Sequence, residues 1–97
     1  MDIMLHVTSR EAVAVAIPLM RALHRGGADW ACFVTNDGAE LLRDAGFVAA
    51  LQGAGRAVVC EHSWEAAGGK AEDCPIERGS QTINSAMMAE ADRVVSL

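Results

Sequence analysis

The chain carries no glycine fingerprint for a nucleotide. Neither G-x-G-x-x-G nor G-x-x-x-x-G-K-[ST] occurs in it, so no glycine loop of either kind is available to cradle a dinucleotide or a nucleoside triphosphate. There is no C-x-x-C pair. Cys60-x-His62 with Cys74 offers three donors and no obvious fourth, which argues against structural zinc. Neither a cofactor nor a metal is expected. Basic residues are in deficit, 8 Lys and Arg against 13 Asp and Glu for a net charge of −5. That balance argues against non-specific nucleic-acid binding, which needs a basic face. No run of about eighteen apolar residues and no basic start followed by an apolar core appears, so neither a membrane span nor a secretory leader is expected. Those absences point to the cytoplasm. The three cysteines are odd in number and lack the spacing of a disulfide framework, as befits thiols in a reducing compartment. With no repeat, linker or low-complexity stretch, residues 1–97 read as one domain.

What is present is apolar. The chain is 52% hydrophobic and only 22% charged over 97 residues, enough for a single core with little stability to spare. That is more apolar content than so small a monomer usually hides, and Trp30, Trp64 and five methionines contribute to it. The excess points to self-association.

Ile3–Val7 is a compact apolar run and reads as a buried strand. Thr8-Ser9-Arg10-Glu11 fits a capping box for a helix reaching about Arg25, with Val13, Ala16, Ile17, Met20 and Leu23 on one face. Gly26-Gly27 stops that helix. Pro18 lies inside it and costs about 3 kcal/mol unless the helix bends. Trp30–Thr35 is the second strand, followed by a turn at Asn36-Asp37-Gly38. Asp37 is placed to cap a short helix that Gly46 breaks, and Phe47–Gln52 makes another turn. Gly53 and Gly55 release the chain into a third strand, Ala57–Val59, with Cys60 at its end.

A brief helix carrying Trp64 and a solvated Lys70–Asp73 loop follow. Cys74–Glu77 is at best a short edge strand, because Pro75 cannot donate to a central ladder. Ser80 opens the last helix, and Arg93–Leu97 is the final strand. Strands alternating with helices imply right-handed crossovers and a flavodoxin-like three-layer α/β fold. The sheet is expected to be mostly parallel and five-stranded, with helices on both faces and the order 2-1-3-4-5. In that geometry Thr8, Thr35 to Asp37, Cys60 and Gly79-Ser80 all follow strands and gather on one rim.

Cys60 is the candidate catalytic residue. A thiol between a strand end and a helix start meets free backbone N–H groups, which favour the thiolate. The same groups suit a persulfide anion or a small oxyanion. His62 is placed to assist ionisation, whereas Glu61 opposes it. The alternative is an inert buried cysteine, a common fate for this residue type. Cys32, mid-strand among apolar neighbours, reads as core. Cys74 sits in a charged loop, from which it would resolve a sulfenate or accept sulfur from Cys60. His6 and His24 read as structural.

Val58-Val59-Cys60-x-x-Ser63, then Gly68-Gly69, Ile76-x-x-Gly79-Ser80, Met87 and the closing Ala91–Leu97 together resemble the DsrE/DsrF-like family, including its YchN-type members. Thr35–Leu42 is similar to that family's segment after the second strand. The start Met4-Leu5-His6 and the short length also resemble the DsrH/TusB-like relatives, but the closing segment does not. The resemblance implies a flavodoxin-like fold, dimers, trimers or hexamers, and sulfur relay through a persulfide on the cysteine after the central strand. Only Cys60 matches that cysteine, with His62, Ser63, Gly79, Ser80 and Cys74 as supporting candidates. Where YchN-type sequences often have a second cysteine, this chain has Ser63, which leaves no local dithiol.

The expectation is a sulfur carrier, possessing sulfurtransferase chemistry at most, that takes sulfane sulfur from a donor protein and passes it to an acceptor protein. The alternatives are a non-catalytic assembly or small-ligand-binding subunit, and a redox sensor pairing Cys60 with Cys74.

Overall fold

A computed structural model describes residues 1–97. Five strands, β1 (Ile3–Val7), β2 (Trp30–Val34), β3 (Arg56–Cys60), β4 (Glu77–Gly79) and β5 (Arg93–Ser96), form one sheet. Four α-helices connect them: α1 (Val13–Arg25), α2 (Ala45–Leu51), α3 (Glu61–Ala66) and α4 (Gln81–Glu90). Every strand pair is parallel. The α/β class and the three layers are as expected, but the strand order is β4-β3-β2-β1-β5 and not 2-1-3-4-5.

That order follows from the direction of each crossover. From β1 to β4 the chain steps one place at a time toward the same edge. A right-handed connection then puts α1, α2 and α3 on one face. The last connection runs back past β3, β2 and β1 to reach β5, so α4 falls on the opposite face. The core divides accordingly. Leu5, Val7, Trp30, Cys32, Val34 and Val59 point to the three-helix side, where Ala16, Met20, Phe47 and Trp64 meet them. Met4, Ala31, Phe33, Val58 and Cys60 point to the other side, against Met87 of α4. Central β2 is buried throughout, whereas edge strand β5 is exposed at every position.

Local chemistry overrides several sequence expectations. The capping box at Thr8 does not form: Arg10–Ala12 is a 3-10 turn, and Thr8 Oγ1 donates to the Leu97 carbonyl at 3.0 Å instead. Asp37 caps nothing; it lies within a 3-10 segment, Asn36–Arg43, that has no side-chain cap. Asp44 is the residue that caps α2, accepting the Phe47 N–H at 3.0 Å, and Gly46 lies inside that helix. Pro18 is accommodated within α1. Pro75 falls just outside β4, which starts at Glu77 and is an edge strand.

Candidate functional site

The carboxyl ends of β2, β3 and β4 meet at Cys60. The register pairs Val34 with Val59 and Cys60 with Gly79, so Thr35 stands beside Cys60 on one side and Gly79 on the other. Gly79 is there because nothing larger fits: a Cβ would lie 2.8 Å from Ile83 Cδ1 and from Val58 Cγ1. This close approach brings the first turn of α4 over the end of β3. Directly after β2, Asn36 takes a left-handed backbone conformation (φ 51°), one that asparagine tolerates better than most residues.

The result is a cluster of uncharged polar groups around a thiol that is 5% exposed. Asn36 N–H donates to Ser63 Oγ at 2.8 Å, and the Thr35 and Ser63 hydroxyls lie 3.3 Å apart. Gln81 Nε2 donates to Thr35 Oγ1 at 3.2 Å, and Asn84 Nδ2 donates to Gln81 Oε1 at 3.0 Å. Burial pushes the Cys60 pKa up, but hydrogen bonds from the Ser63 side chain and N–H, the Gln81 side chain and the His62 N–H outweigh it. The net effect is a pKa below the ordinary 9.0. The expected backbone N–H donors are therefore part of the cause, joined by two side chains. Helix α3 is only six residues long, so its dipole is small, and individual donors stabilise the anion.

The structure brings together four of the six sequence candidates. Cys60, Ser63 and Gly79 are in the cluster, and His62 contributes its backbone N–H. The His62 side chain instead lines a cleft of about 390 Å3 with Asn36, Asp37, Glu40, Ser63, Ala66 and Ala67. Ser80 is exposed, and its hydroxyl makes no cap bond to α4. Cys74 is not part of the cluster: it packs against the core on the three-helix side, whereas Cys60 belongs to the core under α4. All three cysteines are free thiols. Cys32 is fully buried, and burial pushes its pKa up to about 12.

Thr8 lies on this rim as expected, its carbonyl accepting the Gly38 N–H at 3.2 Å, but its hydroxyl turns away from Cys60 to bond Leu97 after β5. The strand order reverses between β1 and β5, where an open α/β sheet commonly binds ligands. There, hydrogen bonds joining Thr8, His6 and Leu97 continue the ladder instead.

Gln81 and Asn84 were missed in the sequence. The signal was a polar residue, Asn84, in the stripe Ile83, Met87 and Ala91 that faces the sheet.

No group of three or more His, Cys, Asp or Glu side chains is arranged to hold a metal ion. No helix is long and apolar enough to cross a membrane. Comparisons with known families, curated proteins and solved structures found no match.

Proposed function

We propose that this domain is a sulfur carrier in which Cys60 accepts and passes on sulfane sulfur. The observation that supports it is the uncharged hydrogen-bonded cluster of Thr35, Asn36, Ser63 and Gln81 at the end of β3, where donors lower the Cys60 pKa with no charged side chain among them. A persulfide is more acidic than a thiol and is an anion at neutral pH, so the same donors suit it. In loading, the Cys60 thiolate attacks the outer sulfur of a donor persulfide, and the donor's S–S bond breaks to release the donor thiolate. In unloading, an acceptor thiolate attacks the outer sulfur on Cys60 and the Cys60 thiolate leaves. One S–S bond forms and one breaks in each step, with no external oxidant or reductant.

The reading extends to a homo-oligomer, dimeric, trimeric or hexameric, that meets separate donor and acceptor proteins. Support comes from edge strand β5, where Val94 and Val95 are 41% and 37% exposed. The test of the carrier is transfer: protein loaded from a persulfide donor delivers labelled sulfur to an acceptor thiol, and Cys60→Ser does not. Equal delivery by both would refute it.

One observation favours a second reading. The cleft beside Ser63 does not include Cys60, as suits a small-ligand-binding subunit whose cysteine is inert. A Cys60–Cys74 redox pair has no comparable support, since the two pack on opposite faces of the sheet.

A further inference from the structure

The hydrogen bonds around Cys60 have a direction, set by which groups have only one role left to play. Asn84 is 7% exposed, and its Nδ2 donates to Gln81 Oε1 at 3.0 Å. With its oxygen engaged, Gln81 turns its NH2 toward the rim, where Nε2 donates to Thr35 Oγ1 at 3.2 Å and the amide favours the Cys60 anion. The Thr35 and Ser63 hydroxyls lie 3.3 Å apart, and either can donate to the other. Ser63 Oγ also accepts from Asn36 N–H at 2.8 Å. When Thr35 gives its proton to Ser63, both Ser63 lone pairs are in use and the Ser63 proton serves the sulfur.

We propose that Asn84 is a positioning residue for the Cys60 anion: by donating to Gln81 it holds that amide with its NH2 toward the sulfur and so orients the whole Gln81–Thr35–Ser63 network as a donor array. This rests on the reading of Cys60 as a reacting thiolate. A buried acceptor without a partner, Asn84 Oδ1, accompanies the arrangement. Turning both amides would let Gln81 Nε2 donate to that atom but would put Asn84 Nδ2 in the unpartnered place. The Gln81 carbonyl would then face the sulfur, an orientation that serves a neutral S–H and repels an anion.

The ionisable side chains on the elements around Cys60 are Glu61, His62 and Glu65 on α3, Asp37, Glu40 and Arg43 after β2, Arg56 on β3, Glu77 and Arg78 on β4, and Glu90 at the end of α4. The first turn of α4, Gln81-Thr82-Ile83-Asn84, contains none. None of these ionisable side chains is among the partners of the sulfur.

The experiment is a pH series of Cys60 alkylation in the full chain, read by peptide mass. The proteins compared are wild type, Asn84→Asp, Gln81→Leu and the double variant. An aspartate at position 84 only accepts, so it draws Gln81 Nε2 inward and turns the carbonyl to the sulfur. Asn84→Asp should raise the midpoint by about one unit, roughly a tenfold loss of thiolate at neutral pH. Its negative charge also acts directly, and the Gln81→Leu background isolates that part: there the shift should fall to about half or less.

Equal shifts in both backgrounds, or no shift, would overturn the proposal. Gln81 is exposed, so Gln81→Leu alone provides a test should Asn84→Asp not fold: an unchanged midpoint there also refutes the array. These measurements read thiolate formation and not sulfur uptake. A protein that shows the shifts but loads no sulfur refutes the carrier and leaves the positioning role standing; one that loads sulfur without the shifts does the reverse.

Discussion

Treating the protein with a limiting alkylating agent at pH 8 should separate Cys60 from Cys32 by a wide margin. Cys32 is fully buried in the central strand and its pKa is pushed up to about 12. At four units below its pKa only about one molecule in 10,000 carries the thiolate, against about one in ten for a thiol near 9. The more basic thiolate is the better nucleophile, and over three units a Brønsted slope of 0.4–0.5 returns roughly 15- to 30-fold. The remaining disadvantage is at least about 30-fold, before any cost of opening the core to admit reagent. Cys60, held below 9.0 by its donors, has a larger ionised fraction than the reference thiol, and it lies at the rim with 5% of its surface exposed against none for Cys32. Peptide mass mapping across a pH series gives both rates. Cys60 labelling should level off once its midpoint, below 9, is passed, while Cys32 labelling still climbs at pH 10. A Cys32 rate within about threefold of that of Cys60, or a Cys60 midpoint above 9.0, would refute the electrostatic argument for the site.

Gly69→Ala should destabilise by about 2–4 kcal/mol in urea melts. Its Cβ would overlap the Trp64 indole, whose Nε1 donates to the Lys70 carbonyl at 2.7 Å; Gly55→Ala, which meets only ordinary contacts, should be close to neutral. Alkaline stability should decline at about 1.4 kcal/mol per unit at most from pH 9. The reason is that the unfolded Cys32 thiol ionises there while the folded one holds its proton to about 12. The stability is therefore fully present below 9 and lost as pH rises. Cys60 acts in the opposite sense, contributing stability above its unfolded pKa that is lost as pH falls through its lowered folded value. With no tyrosine and a single lysine in the chain, a flattened slope in Cys32→Ala is a clean check. Light scattering at micromolar concentration should give a mass above 10.2 kDa, and Val95→Lys on edge strand β5 should lower it. A monomer mass for the wild type would refute self-association.

The sequence carried the fold because its signals were local. The apolar runs at Ile3–Val7, Trp30–Thr35 and Ala57–Val59 fall in the strands Ile3–Val7, Trp30–Val34 and Arg56–Cys60, and the period of Val13, Ala16, Ile17, Met20 and Leu23 is the packed face of α1. Strand order was not legible in the same way. Alternation fixes that crossovers exist, but nothing local says toward which edge each one steps. Caps were misread where tertiary partners competed: Thr8 gives its hydroxyl to Leu97, which is distant in sequence.

Cys60 and Ser63 could be placed because both follow the same apolar run. Gln81 and Asn84 were lost because their roles depend on β4 lying beside β3, a pairing that the short, proline-flanked Glu77–Gly79 segment hardly announces. Cys74 shows the converse. Its spacing from Cys60 left a relay open, and only the division of the sheet into two faces removes it from the site.

The most direct test of the sulfur-carrier reading is intact-mass analysis of wild type, Cys60→Ser and Cys74→Ser after exposure to a persulfide donor. Wild type and Cys74→Ser should each gain about 32 Da, one sulfur atom, removable by a thiol reductant. Cys60→Ser should gain nothing while keeping the wild-type circular dichroism spectrum. No gain in wild type, or an equal gain in Cys60→Ser, would contradict the account.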